Sequence, residues 1–365
     1  MTESGSANIV AKPDFQAVID QYRHDFEVKS DGFKLPLISY EFTITRNLNL
    51  TESVFFFAIP IKNQESLIEE VLKNLFENLS TLTDVGLLFD NCDDASFERA
   101  ADYIQGAVEV YELLNQVHFI RSKDELFEST CENVLFQLCK APYFVSFQAD
   151  TLIRDSSFFE RCQLAFKNVP SLLGISGRAT VPLMPSKLLV AKLIWLFFTK
   201  NLLTVFWPRV FKRRRLGPFF KGKDYFGDTS GFPLPTMKFS KRELNTLFVG
   251  QALIRGPIVW SAESFRNLAG FDDVSFFLGR DDCDLSLRGL MEGFVVGYLP
   301  CDQVSNPSFG TTRKPRTEAV QIKLNERADL SLSHKGTLDF YWNSTARQRK
   351  RILNNCKFGE IRINQ

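Results

Sequence analysis

The chain has 365 residues, 44% of them hydrophobic and 24% charged, which gives a globular protein with a sizeable core and excludes a disordered or fibrous one. Lysine plus arginine (44) nearly cancels aspartate plus glutamate (43), so overall charge draws it to no polyanion and any basic function is local. Seven cysteines without a CxxC pair, beside three histidines, argue against a zinc site or a disulfide framework.

Met1-Thr2-Glu3-Ser4-Gly5-Ser6 lacks the basic-then-apolar order of a signal peptide. The expected location is the reducing cytoplasm, where the sequons at Asn49, Asn78 and Asn343 mean nothing. Residues 1–50 are mixed and polar, with a helix expected around Asp14 to Phe26, and read as an N-terminal extension. From Ser53 the pattern changes. Val54-Phe55-Phe56-Phe57-Ala58-Ile59-Pro60 is a continuous apolar run, the mark of a parallel strand covered on both faces. Leu67, Ile68, Val71, Leu72, Leu75, Phe76 and Leu79 then recur at helical spacing.

A strand over Val85 to Phe89 follows, ending in Asp90. After it come a helix from about Ser96 to Leu114, a strand from Val117 to Ile120, a helix from about Glu128 to Cys139 and a strand from Tyr143 to Phe147. This alternation predicts an α/β fold with a mostly parallel, Rossmann-like sheet flanked by helices, whose ligands bind beyond the carboxyl ends of the strands. Three strand ends qualify: Pro60-Ile61-Lys62-Asn63, Asp90-Asn91-Cys92-Asp93-Asp94 and Gln148-Ala149-Asp150. None carries a glycine-rich phosphate loop, and two present carboxylates. A nucleoside diphosphate bound there needs a bridging divalent cation. The residues from Asp90 to Asp94 also suit a plain turn and helix N-cap.

Between Leu188 and Phe211 an apolar, aromatic stretch is interrupted by Lys192 and Lys200 and followed by Lys212-Arg213-Arg214-Arg215. It is too broken to cross a membrane, and residues 188–215 read as an amphipathic helix at a membrane surface or as a segment packed on the protein itself or on a second subunit. No nucleic-acid recognition module accompanies the basic run, so no nucleic-acid partner is expected.

Further on, Trp260 and Gly270-Phe271-Asp272 precede Gly279-Arg280-Asp281-Asp282-Cys283-Asp284-Leu285, at the start of an amphipathic segment that ends at Gly293. Acids this close repel one another and raise a pKa, which suits general base chemistry; the same residues also suit a helix N-cap. Beyond Gln303, the basic stretch from Gly310 to Pro315 reads as a loop closing over a diphosphate or as a solvated linker, and Arg347 to Arg351 as a second membrane contact.

The segments Phe57-Ala58-Ile59-Pro60-Ile61-Lys62-Asn63-Gln64-Glu65, Asp90-Asn91-Cys92-Asp93-Asp94-Ala95-Ser96, Phe147-Gln148-Ala149-Asp150, Gly270-Phe271-Asp272-Asp273 and Asp281-Asp282-Cys283-Asp284-Leu285, in this order, resemble the family-2 glycosyltransferases. Those are inverting enzymes with a GT-A fold, and the resemblance runs from about Val54 to Pro300. It implies a GT-A domain over 51–302 with an inserted amphipathic helical segment at about 183–248, and a C-terminal extension over 303–365 packed on the core.

The resemblance also implies roles. Pro60, Lys62, Asn63 and Glu65 would hold the donor nucleotide, Asp90 would accept a hydrogen bond from its base, and Asp93 or Asp94 would sit near the ribose. Gln148-Ala149-Asp150 would be the DxD element, with Asp150 the ligand of Mn²⁺ or Mg²⁺ and Gln148, in place of the first acid, left to hydrogen-bond ribose hydroxyls. Asp282 would be the general base, with Asp281 as the alternative. Trp260 and Asp272 would line the acceptor pocket, although Trp260 suits a core position equally well.

Some family members add a histidine ligand after the base helix; Val304-Ser305-Asn306-Pro307 has none, and His334 is the remaining downstream histidine. The implied activity moves a sugar from a nucleotide-sugar donor to a hydroxyl of a glycan or lipid-linked acceptor, at the cytoplasmic face of the membrane during polysaccharide or glycolipid synthesis. The rivals are a sugar nucleotidyltransferase and a catalytically inactive scaffold of the same fold.

Overall fold

The structure, a computed structural model, describes residues 8–10, 15–30, 35–46, 52–177, 180–181, 244–250, 252–253, 255–277, 281–301, 303–305, 325 and 360–363. The stretch 188–215, the basic runs at 310–315 and 347–351, His334 and all but the end of the expected insertion lie outside the described residues. Among the described residues no helix is long and apolar enough to cross a membrane.

The apolar run after Ser53 forms β3 (Phe55–Ile61), and its two faces feed two separate cores. Phe55, Phe57, Ile59 and Ile61 enter one cluster with α2 (Ile68–Glu77), α3 (Ser96–Val110) and α5 (Phe158–Asn168). Phe56 and Ala58 enter the other with α1 (Phe15–Ser30), α4 (Phe127–Phe136), α6 (Ala262–Asn267) and α7 (Asp281–Met291). A strand sandwiched between helices has no polar face to keep, which is why the run is unbroken.

β4 (Thr83–Asp90) shows the same division, with Gly86 where α4 presses closest: a β-carbon there would lie 2.7 Å from Leu135 Cδ2 and 2.8 Å from Phe56 Cζ. Glycine is demanded by this close approach and not by backbone conformation.

The remaining strands are β1 (Asn8–Val10), β2 (Ile38–Thr45), β5 (Leu114–Ser122), β6 (Tyr143–Ser146), β7 (Thr151–Ile153), β8 (Leu172–Ser176), β9 (Thr180–Val181), β10 (Thr246–Gly250), β11 (Ala252–Leu253), β12 (Ile258–Ser261), β13 (Val295–Tyr298), β14 (Gln303–Ser305) and β15 (Glu360–Arg362). Among the described residues an 11-stranded sheet runs β1-β2-β5-β4-β3-β6-β12-β8-β13-β10-β15, and β9 with β11 and β7 with β14 form two small ribbons. β5, β4, β3 and β6 are parallel neighbours, as are β8 and β13.

By direction, β2, β12 and β10 oppose the rest of a mostly parallel sheet. The reversal at β12 positions the site. Its first residue, Ile258, pairs with Ser146 at the end of β6, so the chain entering β12 arrives where β3, β4 and β6 end. β2, within the polar N-terminal stretch for which only a helix was expected, pairs along β5 and extends the sheet.

Candidate active site

The loops after β3 and β4 are stitched together by short polar bonds. Asn63 and Asn91 take φ values of 51° and 47°, a left-handed turn that asparagine tolerates better than most residues. Lys62 Nζ donates to the Asn91 carbonyl at 2.5 Å, the Asn63 amide bonds the Asp93 carboxylate, and the Asp93 N–H returns a bond to Asn63 Oδ1 at 3.1 Å. The Glu65 N–H donates to Asp94 Oδ2 at 3.0 Å and the Gln64 N–H to Ser96 Oγ at 2.7 Å. For Asp94, partial burial opposes ionisation, but the bonds from Ser96 and the Glu65 N–H outweigh it and hold the carboxyl below its usual range. The Glu65 carboxylate faces Arg99 on α3, 3.3 Å away. Pro60 lies within β3 beside Leu88 of β4.

Asp90 is almost fully buried, and both its oxygens are occupied. Oδ1 accepts the Leu126 N–H at 2.6 Å and Oδ2 the Phe127 N–H at 3.0 Å. Burial pushes its pKa up to about 6 against those two bonds. Phe127 has φ 68°, unusual for a bulky side chain, and Asp90 satisfies the backbone groups of this strained entry into α4. The residue expected to read a nucleobase thus anchors the first turn of α4.

That turn carries Glu128, and Gln148 donates to Glu128 Oε1 at 3.2 Å. Asp150, half-buried, lies in the turn between β6 and β7, where the Thr151 N–H bonds the Gln148 carbonyl at 3.1 Å. Ser305 of β14 pairs with Thr151, which brings the stretch after β13 alongside Asp150.

Arg255, in the approach to β12, joins this region to the acid pair. Nη1 lies 3.0 Å from Glu128 Oε1 and 2.8 Å from Glu132 Oε1; Nη2 is paired with the Asp281 carboxylate; the Arg255 N–H donates to Asp282 Oδ2 at 2.8 Å. Ser129 Oγ adds a bond to Asp281 Oδ2 at 2.9 Å, and the Cys283 N–H one to Asp282 Oδ1 at 2.7 Å. Trp260 Nε1 donates to Ser146 Oγ at 3.0 Å, which in turn donates to Glu132 Oε2 at 3.0 Å.

Burial lowers the Arg255 pKa, but Asp281, Glu128 and Glu132 override it and hold the cation well above its usual value. Burial, then the charge of Asp281, lift Asp282 to about 7 against Arg255 and two backbone N–H groups. Burial raises Glu132 to about 8.

Asp281 and Asp282 therefore meet Gln148 and the end of β6 through one ion-pair network. Glu128, Ser129, Glu132, Ser146 and Arg255 were not singled out from the sequence. Trp260 is a correction: its ring has 0% exposure, packed against Phe271 and the backbone of Gly174, so it is a core residue and offers no face to a sugar. Asp272, half-buried, accepts the N–H groups of Val274 at 3.2 Å and Ser275 at 2.9 Å and thereby caps the turn before the acid pair.

Asp150 offers one hard oxygen donor. Among the described residues no group of three or more His, Cys, Asp or Glu is placed to hold an ion alone. Such a donor set fits a divalent ion that takes most of its ligands from phosphate and water.

No family model and no curated protein matches the chain. Solved structures do. A mannosyltransferase from Pyrobaculum calidifontis in complex with GDP-Man and Mn²⁺ is similar at 13% identity and TM-score 0.48, over 94% of this chain and 77% of that one. TarS 1-349 of S. aureus in complex with UDP-GlcNAc is similar at 10% identity and TM-score 0.43, over 82% and 79%. GalNAc-T7 with UDP, GalNAc and Mn²⁺ is similar at 13% identity and TM-score 0.50, over 98% of this chain and 66% of that one. The α/β architecture with its mostly parallel sheet is that of the GT-A glycosyltransferases.

Proposed function

We propose that the protein is an inverting glycosyltransferase that moves a sugar from a nucleotide-sugar donor to a hydroxyl of a glycan or lipid-linked acceptor. The observation that carries this reading is the meeting, at one end of the sheet, of the Gln148–Asp150 turn with a buried acid pair. The GT-A likeness supports it, since the GalNAc-T7 structure holds UDP, GalNAc and Mn²⁺.

In this reading the loops after β3 and β4 receive the nucleotide. Lys62, Asn63 and Asp93 form its rim, while Asp90 acts from beneath by fixing α4. Asp150 would hold Mn²⁺ or Mg²⁺ together with diphosphate oxygens, and the ion's charge would stabilise the departing nucleotide. Asp282 takes the proton of the acceptor hydroxyl as its oxygen attacks the anomeric carbon and the bond to the diphosphate breaks. A pKa of about 7 suits a base at neutral pH. Asp281, locked by Arg255 and Ser129, is the lesser choice for that role. We place the reaction at a membrane surface reached through residues 188–215.

The test is donor turnover. Purified protein is incubated with UDP-glucose, UDP-GlcNAc and GDP-mannose plus Mn²⁺, and released nucleoside diphosphate is measured. Slow release that stops on chelation and in Asp150→Ala is the expected result. Gln148 in place of an acid favours the rival scaffold, which would bind a donor without turnover.

A further inference from the structure

We propose that Arg255 is a positioning residue that sorts the acid pair into one structural and one reacting carboxylate. The inference rests on the glycosyl-transfer reading and adds to it a residue that neither the sequence motifs nor the fold likeness assigns.

Arg255 grips the two acids in different ways. Its guanidinium takes Asp281, fully buried at the first position of α7, as an ion pair backed by Ser129 Oγ. Among the described residues Asp282 has no side-chain ion pair: the Arg255 backbone N–H bonds it at 2.8 Å, and the guanidinium acts on it through its charge alone. The same guanidinium is fixed from behind by Glu132 at 2.8 Å and Glu128 at 3.0 Å, both on α4, and Glu132 is held by Ser146 of β6. One planar fork therefore joins α4 and β6 to the start of α7, a geometry that lysine cannot reproduce.

Among the described residues the charges that bear most on Asp282 are Asp281 on its own helix and Arg255 from the approach to β12; Glu128 and Glu132 of α4 bear in turn on Arg255, and Asp284, further along α7, is paired with Arg288. Asp150 adds its charge at Glu128. Removing the guanidinium leaves the Asp281 charge uncompensated beside Asp282 and makes Asp282 harder to ionise.

The experiment measures nucleoside diphosphate release from the nucleotide sugar that wild type turns over fastest, with Mn²⁺ and water as acceptor, as kcat and KM across pH 5.5–9. Wild type, Arg255→Met, Arg255→Lys and the double variant Arg255→Met/Asp281→Asn are compared, and each is checked by melting temperature. Arg255→Met should lose roughly tenfold or more in kcat with little change in donor KM. Its acid limb should move to higher pH.

The double variant, which removes the Asp281 charge together with the guanidinium, should return the acid limb to the wild-type position or below it, and it serves as the readout if the single variant does not fold. Arg255→Lys should fall between wild type and Arg255→Met. A purely structural role would lower the melting temperature and leave the limb in place, which overturns the proposal. So would unchanged kcat in a folded variant. Wild type that turns over none of the three nucleotide sugars would sink the glycosyl-transfer reading itself, and the role of Arg255 with it.

Discussion

The rim formed by the loops after β3 and β4 and the cluster around Arg255 are both built from carboxylates, and they treat them in opposite ways. At the rim, Asp93 and Asp94 meet amides, backbone N–H groups and water, and Asp94 is held below its usual range. In the cluster, Glu132, Asp281 and Asp282, all buried, gather with the half-buried Glu128 around the Arg255 guanidinium, and Asp282 and Glu132 rise to about 7 and 8. Burial with shared charge makes an acid that can carry a proton at neutral pH, whereas local donors favour the ionised form, as at Asp94. The first suits proton transfer and the second suits holding a ligand's hydroxyls.

Asp90 lies between the two regimes, and replacing it should have the largest effect on stability. Asp90→Ala strands the buried N–H groups of Leu126 and Phe127, at roughly 1–3 kcal/mol for each. We expect a clear fall in melting temperature by calorimetry, larger than any change in donor affinity measured on the folded fraction. Weakened donor binding at unchanged stability would return Asp90 to the nucleobase.

A smaller effect is expected from Glu132→Gln. The Glu132 pKa is raised on folding, so the folded protein holds a proton that the unfolded chain releases above the ordinary glutamate range. Stability is then lost as pH rises from about 4.5 towards 8, and Asp282 and Asp90 contribute with the same sign. The variant removes one of these contributions, so its melting temperature should drop less between pH 6 and pH 8 than that of wild type. Parallel melting curves would show that Glu132 is ionised in the fold.

The smallest change belongs to the rim. Asp93→Ala breaks an exposed pair with Asn63, at about 0–1 kcal/mol, and should leave the melting temperature within error while raising donor KM.

Most of the parallel half of the sheet was legible because β3, β4 and β6 are buried on both faces and leave continuous apolar runs. β2 was missed although Ile38, Tyr40, Phe42 and Ile44 alternate with Ser39, Glu41 and Thr43, the period-2 signal of a half-covered strand. The polar residues around it hid the pattern.

At the site, Asp281 and Asp282 stood out as acids in a tight local cluster, and Asp150 as the acid that closes an expected strand. Glu128 and Glu132 carried a subtler mark: they are acids four apart, and so on one side, of a helix with no other charged residue. Arg255 is the one charged residue between Thr246 and Ser261, again a sign of a buried cation. Its partners lie 26 and 123 positions away, at Asp281 and Glu132, and only the antiparallel entry of β12 beside β6 brings them together. Trp260 misled because an aromatic next to the site looks the same in sequence whether it faces a sugar or Gly174.

The most direct test is calorimetric donor binding to Asp282→Asn beside Asp150→Ala, with Mn²⁺ and the nucleotide sugar that wild type hydrolyses. Asp282→Asn should bind the donor as wild type does while turnover falls by roughly 10²–10⁴-fold, and Asp150→Ala should lose donor affinity itself. Equal donor affinity in all three proteins, or full turnover by Asp282→Asn, would contradict the division of labour between the two ends of this site.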